Sequence, residues 1–406
     1  MNNHKPEYDL VFITQSRWDD VSSTSYSLAQ EFARTNRVFY VDKPYTWLDL
    51  LRYRKNPNIK RRLPYYFTGR KQCNKAPGLP EKFTWVVSFL AFPINWLPKG
   101  RIYNFFLAYQ QWRMERTLRR LCRKCHVKNY ILFNSFNPYF SLDLPDDIKP
   151  AIKIYQSVDS MQAAAYLAKH GTYLEEHIAK EADLLLATAK QIVKNFTEKG
   201  FHIRYLPNAA NIDHFKNIYF AETEKPAEFN QPGKKVIGYI GSIDFRTNYG
   251  LLRKLALHNK DNIIMLIGPV HKVNNNEGID TLPNVIFTGS KPMRDLPYYA
   301  KSLDCAIIPF EHNEFTKSIY PLKINEYLGA GRPVVTTRFS DEMEDFRTIA
   351  HVTDDEEEFI AFVDKALKEN TKEKELERIR FSENNSWAKR AEQFWNIVEE
   401  ELLVKR

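Results

Sequence analysis

Short, unbroken apolar runs recur along this 406-residue chain, separated by helix-length or polar stretches, and that rhythm constrains the fold more than any other feature. DLVFITQ (9–15), RVFYVD (37–42), NYILFNS (129–135), AIKIYQSVD (151–159), DLLLATA (183–189) and IRYLPNA (203–209) form a first series. The Ser/Thr-rich SSTSYSLAQEFART separates its first two members, giving strand, loop, helix, strand. The runs are continuous and β-branched rather than alternating, which suits parallel strands covered by helices on both faces. Residues 216–235, KNIYFAETEKPAEFNQPGKK, are polar and charged and read as an inter-domain connection. A second series follows: KVIGYIGSI (235–243), NIIMLIGPV (262–270), NVIFTGS (284–290), DCAIIPF (304–310) and PVVTTR (333–338), with YGLLRKLALHN and PLKINEYLGAG as helices. The chain is therefore expected to be α/β, with two doubly wound domains whose strand carboxyl ends face a ligand cleft.

Length agrees, since at roughly 150 residues per domain 406 residues make two or three. A composition 43% hydrophobic and 27% charged excludes a disordered polymer. Four cysteines cannot build a disulfide framework, and Cys122 and Cys125 lack a second pair for zinc. Reduced structural thiols are expected, which fits the cytosol. No run reaches the ~18–20 apolar residues of a spanning helix. The opening MNNHKPEYDLVFITQ carries no signal-peptide pattern. The expectation is a cytoplasmic protein, neither exported by a cleaved signal nor integral to a membrane.

The net charge of +9 hides a polarity. Residues 1–210 hold 32 Lys and Arg against 18 Asp and Glu, the remainder 27 against 32. Residues 43–128 alone hold 20 basic and 3 acidic side chains, so one segment makes the field and meets something anionic. That segment interleaves aromatics: RYRKNPNIKRRLPYYF (52–67), FTWVVSFLAFPINWLP (83–98) and the basic helix RIYNFFLAYQQWRMERTLRRLCRKCHVK (101–128). Rings at headgroup depth beside cations are what an interfacial anchor needs. Arg61, Arg62, Trp85, Phe89 and Trp96 are the expected membrane-interface residues on an anionic surface, against the plainer reading of Phe89 and Trp96 as core. No nucleic-acid-binding motif is present, so no nucleic-acid partner is expected.

Two motifs point to a nucleotide. The strand KVIGYIGSI ends in Gly238-x-x-Gly241, which permits close backbone approach to a diphosphate or merely relieves a tight bend. The second is TKSIYPLKINEYLGAGRPVVTT (316–337). Pro321 suits a helix start, where backbone amides and the positive helix end can hold phosphate. Lys323 adds a mobile cation, and Glu326, three residues on, offers a carboxylate to both hydroxyls of a ribose.

Residues 235–340 resemble the donor half of family-4-type glycosyltransferases of the GT-B fold, through GYIGSIDFR, LPNVIFTGSKPMRDLPYYAKSLDCAIIPF and PLKINEYLGAGRPVVTT. YLPNAANIDHF (205–215) is similar to the stretch entering the family's donor domain, and IYQSVDS followed by EADLLLATA to the end of its acceptor domain. The resemblance implies a GT-B architecture of two Rossmann-like domains. Residues 1–210 would be acceptor-binding, 211–385 donor-binding, and 386–406 a helix crossing back to the first domain. It also implies a UDP- or GDP-sugar donor, with Glu326 on the ribose, Lys323 and the amides near Pro321 and Leu322 on the pyrophosphate, and Gly241 and Ser242 packed beneath it. The second Glu of the family's motif falls on Glu326, whereas the first falls near Ser318, with Glu311 and Glu314 seven and four residues earlier. The cations after the glycine turn are replaced by Ser242 and Asn248, leaving Arg246 to substitute.

The expected catalytic residues are Asp159, orienting the acceptor hydroxyl, and Arg246. Ser16, Arg17 and Asp20 are weaker acceptor candidates in the first loop. Retention can proceed with the leaving phosphate taking the acceptor's proton, the protein supplying position and charge. No cofactor and no metal are expected. The full expectation is a peripheral enzyme on the inner membrane face, a monomer or weak dimer, moving sugar to a lipid-linked glycan or polysaccharide acceptor in envelope or capsule assembly. A nucleotide-sugar epimerase and a non-catalytic membrane scaffold are the alternatives.

Overall fold

The computed structural model describes residues 8–19, 23–75, 78–161, 169–273 and 275–404. The chain forms two compact units, 1–206 together with 391–406, and 207–390.

The first unit is built on β1 (Asp9–Thr14), β2 (Val38–Val41), β3 (Cys73–Asn74), β4 (Phe83–Val86), β5 (Tyr130–Ser135), β6 (Ile152–Ser157), β7 (Leu184–Ala187) and β8 (Ile203–Tyr205). They lie in the order β3-β4-β2-β1-β5-β6-β7-β8, all parallel but for the edge strand β3. Strand order reverses between β1 and β5, because the chain leaves β1 in one direction and returns to β5 on the other side. Helices α1 (Thr24–Phe32), α2 (Trp47–Arg52), α3 (Pro57–Thr68), α4 (Arg101–Cys125), α5 (Gly171–Glu181) and α6 (Lys190–Glu198) belong to this unit. Burial explains the continuous apolar runs: Leu10, Val11 and Phe12 of β1 and Ile131, Leu132 and Phe133 of β5 are all fully enclosed. The predicted strand 203–209 stops at Tyr205, since Pro207 has no N–H for a ladder.

The second unit opens with α7 (Ile212–Phe220) and carries β9 (Val236–Ile240), α8 (Tyr249–His258), β10 (Ile263–Ile267), β11 (Val285–Gly289), α9 (Leu296–Ser302), β12 (Cys305–Ile308), α10 (Leu322–Gly329), β13 (Val334–Thr337), β14 (His351–Thr353), α11 (Glu356–Glu369) and α12 (Lys372–Glu383). Its parallel sheet runs β11-β10-β9-β12-β13-β14, with the reversal between β9 and β12. The polar segment 216–235 is not simply a connection. Helix α7 buries Phe215 and Tyr219 in the second unit, whose core includes Phe215. The closing helix α13 (Trp387–Val404) sets Phe394 4.7 Å from Phe32 and 5.6 Å from Phe133, ring centre to ring centre. Burying one such ring contributes about 2–3 kcal/mol, so residues 391–406 fold with the first unit.

Three of the expected membrane-interface residues are corrected by burial. Arg62 is fully enclosed, its Nε donating to Asp42 Oδ2 at 2.8 Å and its Nη atoms to both Asp19 oxygens at 2.8 and 2.9 Å. Trp85 is a residue of β4, its ring tilted against Trp18 at 5.4 Å and 5.1 Å under the Arg62 guanidinium. Phe89 packs edge-on to Phe140 in the core. Strand β4 holds Trp85 and the core holds Phe89, so neither ring is a surface anchor. Arg61 and Trp96 remain exposed.

Candidate functional site

In open parallel sheets the crevice beyond the strand ends at the point of reversal is where ligands bind. In the second unit that point lies between β9 and β12, and the candidate donor residues collect around it. The loop 241–248 leaves β9 and is stitched on both sides. Gly241 donates to Ile267 O at 2.9 Å and Ile243 to Pro269 O at 3.0 Å, while Asn248 donates to Pro309 O at 2.7 Å and Glu311 to Arg246 O at 2.7 Å. A Cβ on Gly241 would fall 2.4 Å from Tyr239 Oη, and one on Gly268 would fall 1.9 Å from Gly241 O. These glycines are fixed by how closely the two loops and the Tyr239 ring approach, whatever lies outside.

Helix α10 sits beside that loop. Tyr327, fully buried, takes the Ile240 N–H on its phenol oxygen at 2.7 Å, pinning the helix to the end of β9. One turn earlier, Lys323 Nζ and Glu326 Oε2 form a 2.9 Å ion pair, their side chains 27% and 13% exposed. Pro321 caps the helix without a side-chain bond. The Leu322 N–H turns back to Tyr320 O at 3.0 Å. Leu322 therefore lacks a free amide for a phosphate, and the Lys323 ammonium is the mobile donor at this helix start. Arg246 is held bidentate by Asp244, Nε to Oδ1 at 2.8 Å and Nη2 to Oδ2 at 2.6 Å, and lies 5.5 Å over the Phe310 ring. Its charge is thus matched locally. Burial pushes the Tyr239 phenol up, and the charges of Arg246, Asp244 and Glu326 all reach it, so these groups share one small neighbourhood. Ser318, where the resemblance sets an acid, is buried in the 3₁₀ turn Thr316–Ser318, which Thr316 Oγ1 ties to Glu311 O at 2.6 Å.

On the side of β9 away from β12, the ends of β9 and β10 frame a depression of about 440 Å³ lined by Ile243, Tyr249, Val270, His271, Lys272 and Phe287, among others. In the sequence His271 reads as an ordinary loop residue. The signal for it lies only in topology, since these residues follow β9 and β10 or, for Phe287, lie within β11.

In the first unit the reversal lies between β1 and β5, and a mostly apolar cavity of about 300 Å³ opens at those strand ends. Its walls come from four loops and one helix: Gln15 after β1, Lys43 and Pro44 after β2, Phe92 to Trp96 after β4, Asn137, Tyr139 and Phe140 after β5, and Gln110 of α4. The Gln15 Nε2 is buried there without a hydrogen-bond partner. Ser16 and Arg17 do not line it. The Ser16 hydroxyl bonds Tyr40 Oη at 2.5 Å and Ser23 Oγ at 3.0 Å. Arg17 lies 3.5 Å over the Tyr45 ring and donates to the carbonyls of Lys43 and Pro44, shaping the loop rather than facing the cavity. Asp20 lies outside the described residues. Asp159 is exposed just beyond β6, two strands from β1.

Behind β6, Glu175 is a buried carboxyl that accepts from Tyr155 Oη at 2.9 Å and Ser157 Oγ at 2.7 Å. Burial outweighs these bonds and pushes it up to about 7. Among the described residues no group of three or more His, Cys, Asp or Glu side chains is gathered to hold a metal ion.

Residues 234–369 match the family described as glycosyl transferases group 1. TuaH of Bacillus subtilis (strain 168), assigned to teichuronic acid biosynthesis as a putative glycosyltransferase, is 27% identical over 218 residues, 50% of this chain and 54% of that protein. The alignment thus spans about half the length of that relative. Among solved structures, sucrose-phosphate synthase (tll1590) of Thermosynechococcus elongatus superposes with a TM-score of 0.66 at 12% identity, covering 98% of this chain and 100% of that one. Anabaena Alr3699/HepE in complex with UDP gives 0.63 at 11%, covering 97% and 100%. Trehalose-6-phosphate synthase OtsA gives 0.66 at 12%, covering 97% and 99%. At such identities the likeness is one of fold, and the fold is the two-domain GT-B architecture.

Proposed function

We propose that the protein, whose residues 234–369 match the group 1 glycosyl transferases, moves a sugar from a nucleotide diphosphate to a lipid-linked or polysaccharide acceptor in envelope polymer assembly. The observation that carries this reading is the Lys323–Glu326 pair at the start of α10, beside the β9/β12 reversal. A nucleoside diphosphate presents the complement of that pair: phosphate for the ammonium and vicinal ribose hydroxyls for the carboxylate. The 440 Å³ depression at the ends of β9 and β10, on the other side of β9 from that reversal, is large enough for a base. UDP in the similar Anabaena structure and the assignment of the Bacillus relative support donor class and setting.

The reaction retains configuration and uses no metal. The acceptor oxygen bonds to the anomeric carbon as the bond from that carbon to the phosphate oxygen breaks, and the acceptor's proton passes to the departing diphosphate. The charge that grows there meets Lys323, which Glu326 holds beside the site until the nucleotide binds. Arg246, balanced by Asp244, adds less. The cavity lined by Gln15, Lys43 and Asn137 receives the acceptor, and Asp159 orients its hydroxyl. The enzyme acts in the cytoplasm at the inner face of the membrane. Among the described residues no helix is long and apolar enough to cross it, so the contact we propose there is peripheral.

The test is incubation with a panel of UDP- and GDP-sugars and membrane extract, reading label in the lipid or polymer fraction and the anomeric configuration by NMR. Transfer with retention is expected. Label that stays on the nucleotide as an isomer would make the protein an epimerase, and no turnover with intact nucleotide binding would make it a scaffold.

A further inference from the structure

We propose that the outer face of α4 docks the first unit on the membrane, and that a groove between α3 and α4 takes the phosphates of anionic lipid headgroups. This deepens the membrane-proximal reading above and rests on it. Tyr103, Gln110, Met114, Thr117, Leu118 and Leu121 face inward along the whole of α4. At about 100° per residue, Ile102, Phe105, Tyr109, Trp112, Arg113, Arg116, Arg120 and Arg123 fall within roughly 100° of one another on the opposite side. The stripe is graded along its length. Ile102 and Phe105, 66% and 68% exposed, begin it, Trp112 follows at 45%, and the arginines complete it. That is an apolar end to enter a bilayer, an aromatic at headgroup depth, and cations beyond.

The groove beside the arginine half has a volume of about 610 Å³. Arg113, Arg116, Arg120 and Arg123 line it with Tyr65 and Trp112, and no carboxylate is among its described lining residues. The guanidiniums are positioned rather than neutralised. Arg113 donates to Tyr109 Oη at 2.8 Å, Arg120 donates to Gly69 O at 2.8 Å, and Arg116 lies 4.7 Å over the Trp112 ring. Four aligned cations with planar donor forks call for an anion, and phosphodiester oxygens fit that fork. The apolar surface continues nearby. Trp47 donates to Ala91 O, adjoining Phe92, which packs 5.0 Å from Phe106 of α4, and Leu48 and Leu51 of the same α2 are exposed. Nucleic acid shares the phosphates but gives Ile102, Phe105 and Leu51 nothing apolar to enter, so the lipid surface is the partner favoured.

The test is sedimentation of the full chain with phosphatidylcholine vesicles prepared with and without phosphatidylglycerol. Binding is expected only with the anionic lipid, and to fall with salt. Arg116→Gln with Arg123→Gln, both exposed, weakens it by roughly 30-fold, about fivefold for each lost cation. Phe105→Ser weakens it without touching the charge, and UDP affinity, read as a check on folding, stays unchanged in each variant. Wild-type binding of the double arginine variant would overturn the groove while leaving the membrane reading intact. Failure of the wild type to bind any vesicle would overturn both. Arginine-dependent capture of an RNA oligomer without vesicle binding would reassign the surface.

Discussion

Glu326→Ala separates a ligand-binding carboxylate from a merely structural ion pair. In the free protein Glu326 and Lys323 are three residues apart on one helix and both retain some contact with solvent, so deleting the pair costs about 0.3–1 kcal/mol of stability. In the proposed complex the carboxylate accepts from ribose hydroxyls, each such charged hydrogen bond being worth about 1.5–3 kcal/mol. Some of that is offset, because Glu326 leaves Lys323 partly unpaired when it turns to the ribose and the ammonium turns to phosphate. A net loss of about 2–3 kcal/mol corresponds to UDP or GDP binding weakened roughly 30- to 150-fold. Isothermal titration gives this directly, with a urea melt of the free variant alongside. Glu326→Gln keeps one acceptor and falls between. An unchanged dissociation constant with a lowered urea midpoint would mean that Glu326 only supports the helix, and the ribose assignment would be lost.

Three further outcomes follow from other parts of the molecule. Because burial raises Glu175 from 4.5 to about 7, the folded state holds a proton that the unfolded chain releases between those values, so stability falls as pH rises through that window, by up to ~3 kcal/mol. Glu175→Gln should flatten that slope and be more stable than the wild type at pH 8, whereas parallel urea curves at pH 5 and 8 would show that the carboxyl titrates normally. Gly268→Ala places a methyl group 1.9 Å from the Gly241 carbonyl at a φ of +150°, and should cost at least ~2 kcal/mol and weaken nucleotide binding together. A Gly268→Ala variant as stable as the wild type would refute the loop contact. Transfer activity should survive excess EDTA in full, and turnover that collapses and returns with added magnesium would contradict metal independence.

The strands were legible because both faces of each sheet are covered, so a run such as Val11 to Ile13 shows in the sequence as uninterrupted apolar residues. The Lys323–Glu326 pair was legible for a related reason: its spacing lies within one helix. Strand β4 was hidden because FTWV opens an aromatic stretch whose composition equally suits an interface. Arg62 stands among surface cations in RRLPYYF, and its partners Asp42 and Asp19 are 20 and 43 residues away, so nothing local marks it as buried. The cavity at the β1/β5 reversal draws its lining from four loops and from α4, none of them a motif. The stripe on α4 was within reach, but net charge says how much is basic and not which side of the helix carries it. Projection at the helical period separates Arg116 and Arg123 from the buried Met114 and Leu121.

The most direct measurement of the central claim is hydrogen exchange of the full chain with and without saturating UDP or GDP. Slower exchange is expected at the end of β9 and its loop, 240–248, and across the first turns of α10, 321–327. Protection that appears elsewhere and leaves both segments unchanged, or no protection with either nucleotide, would contradict the account.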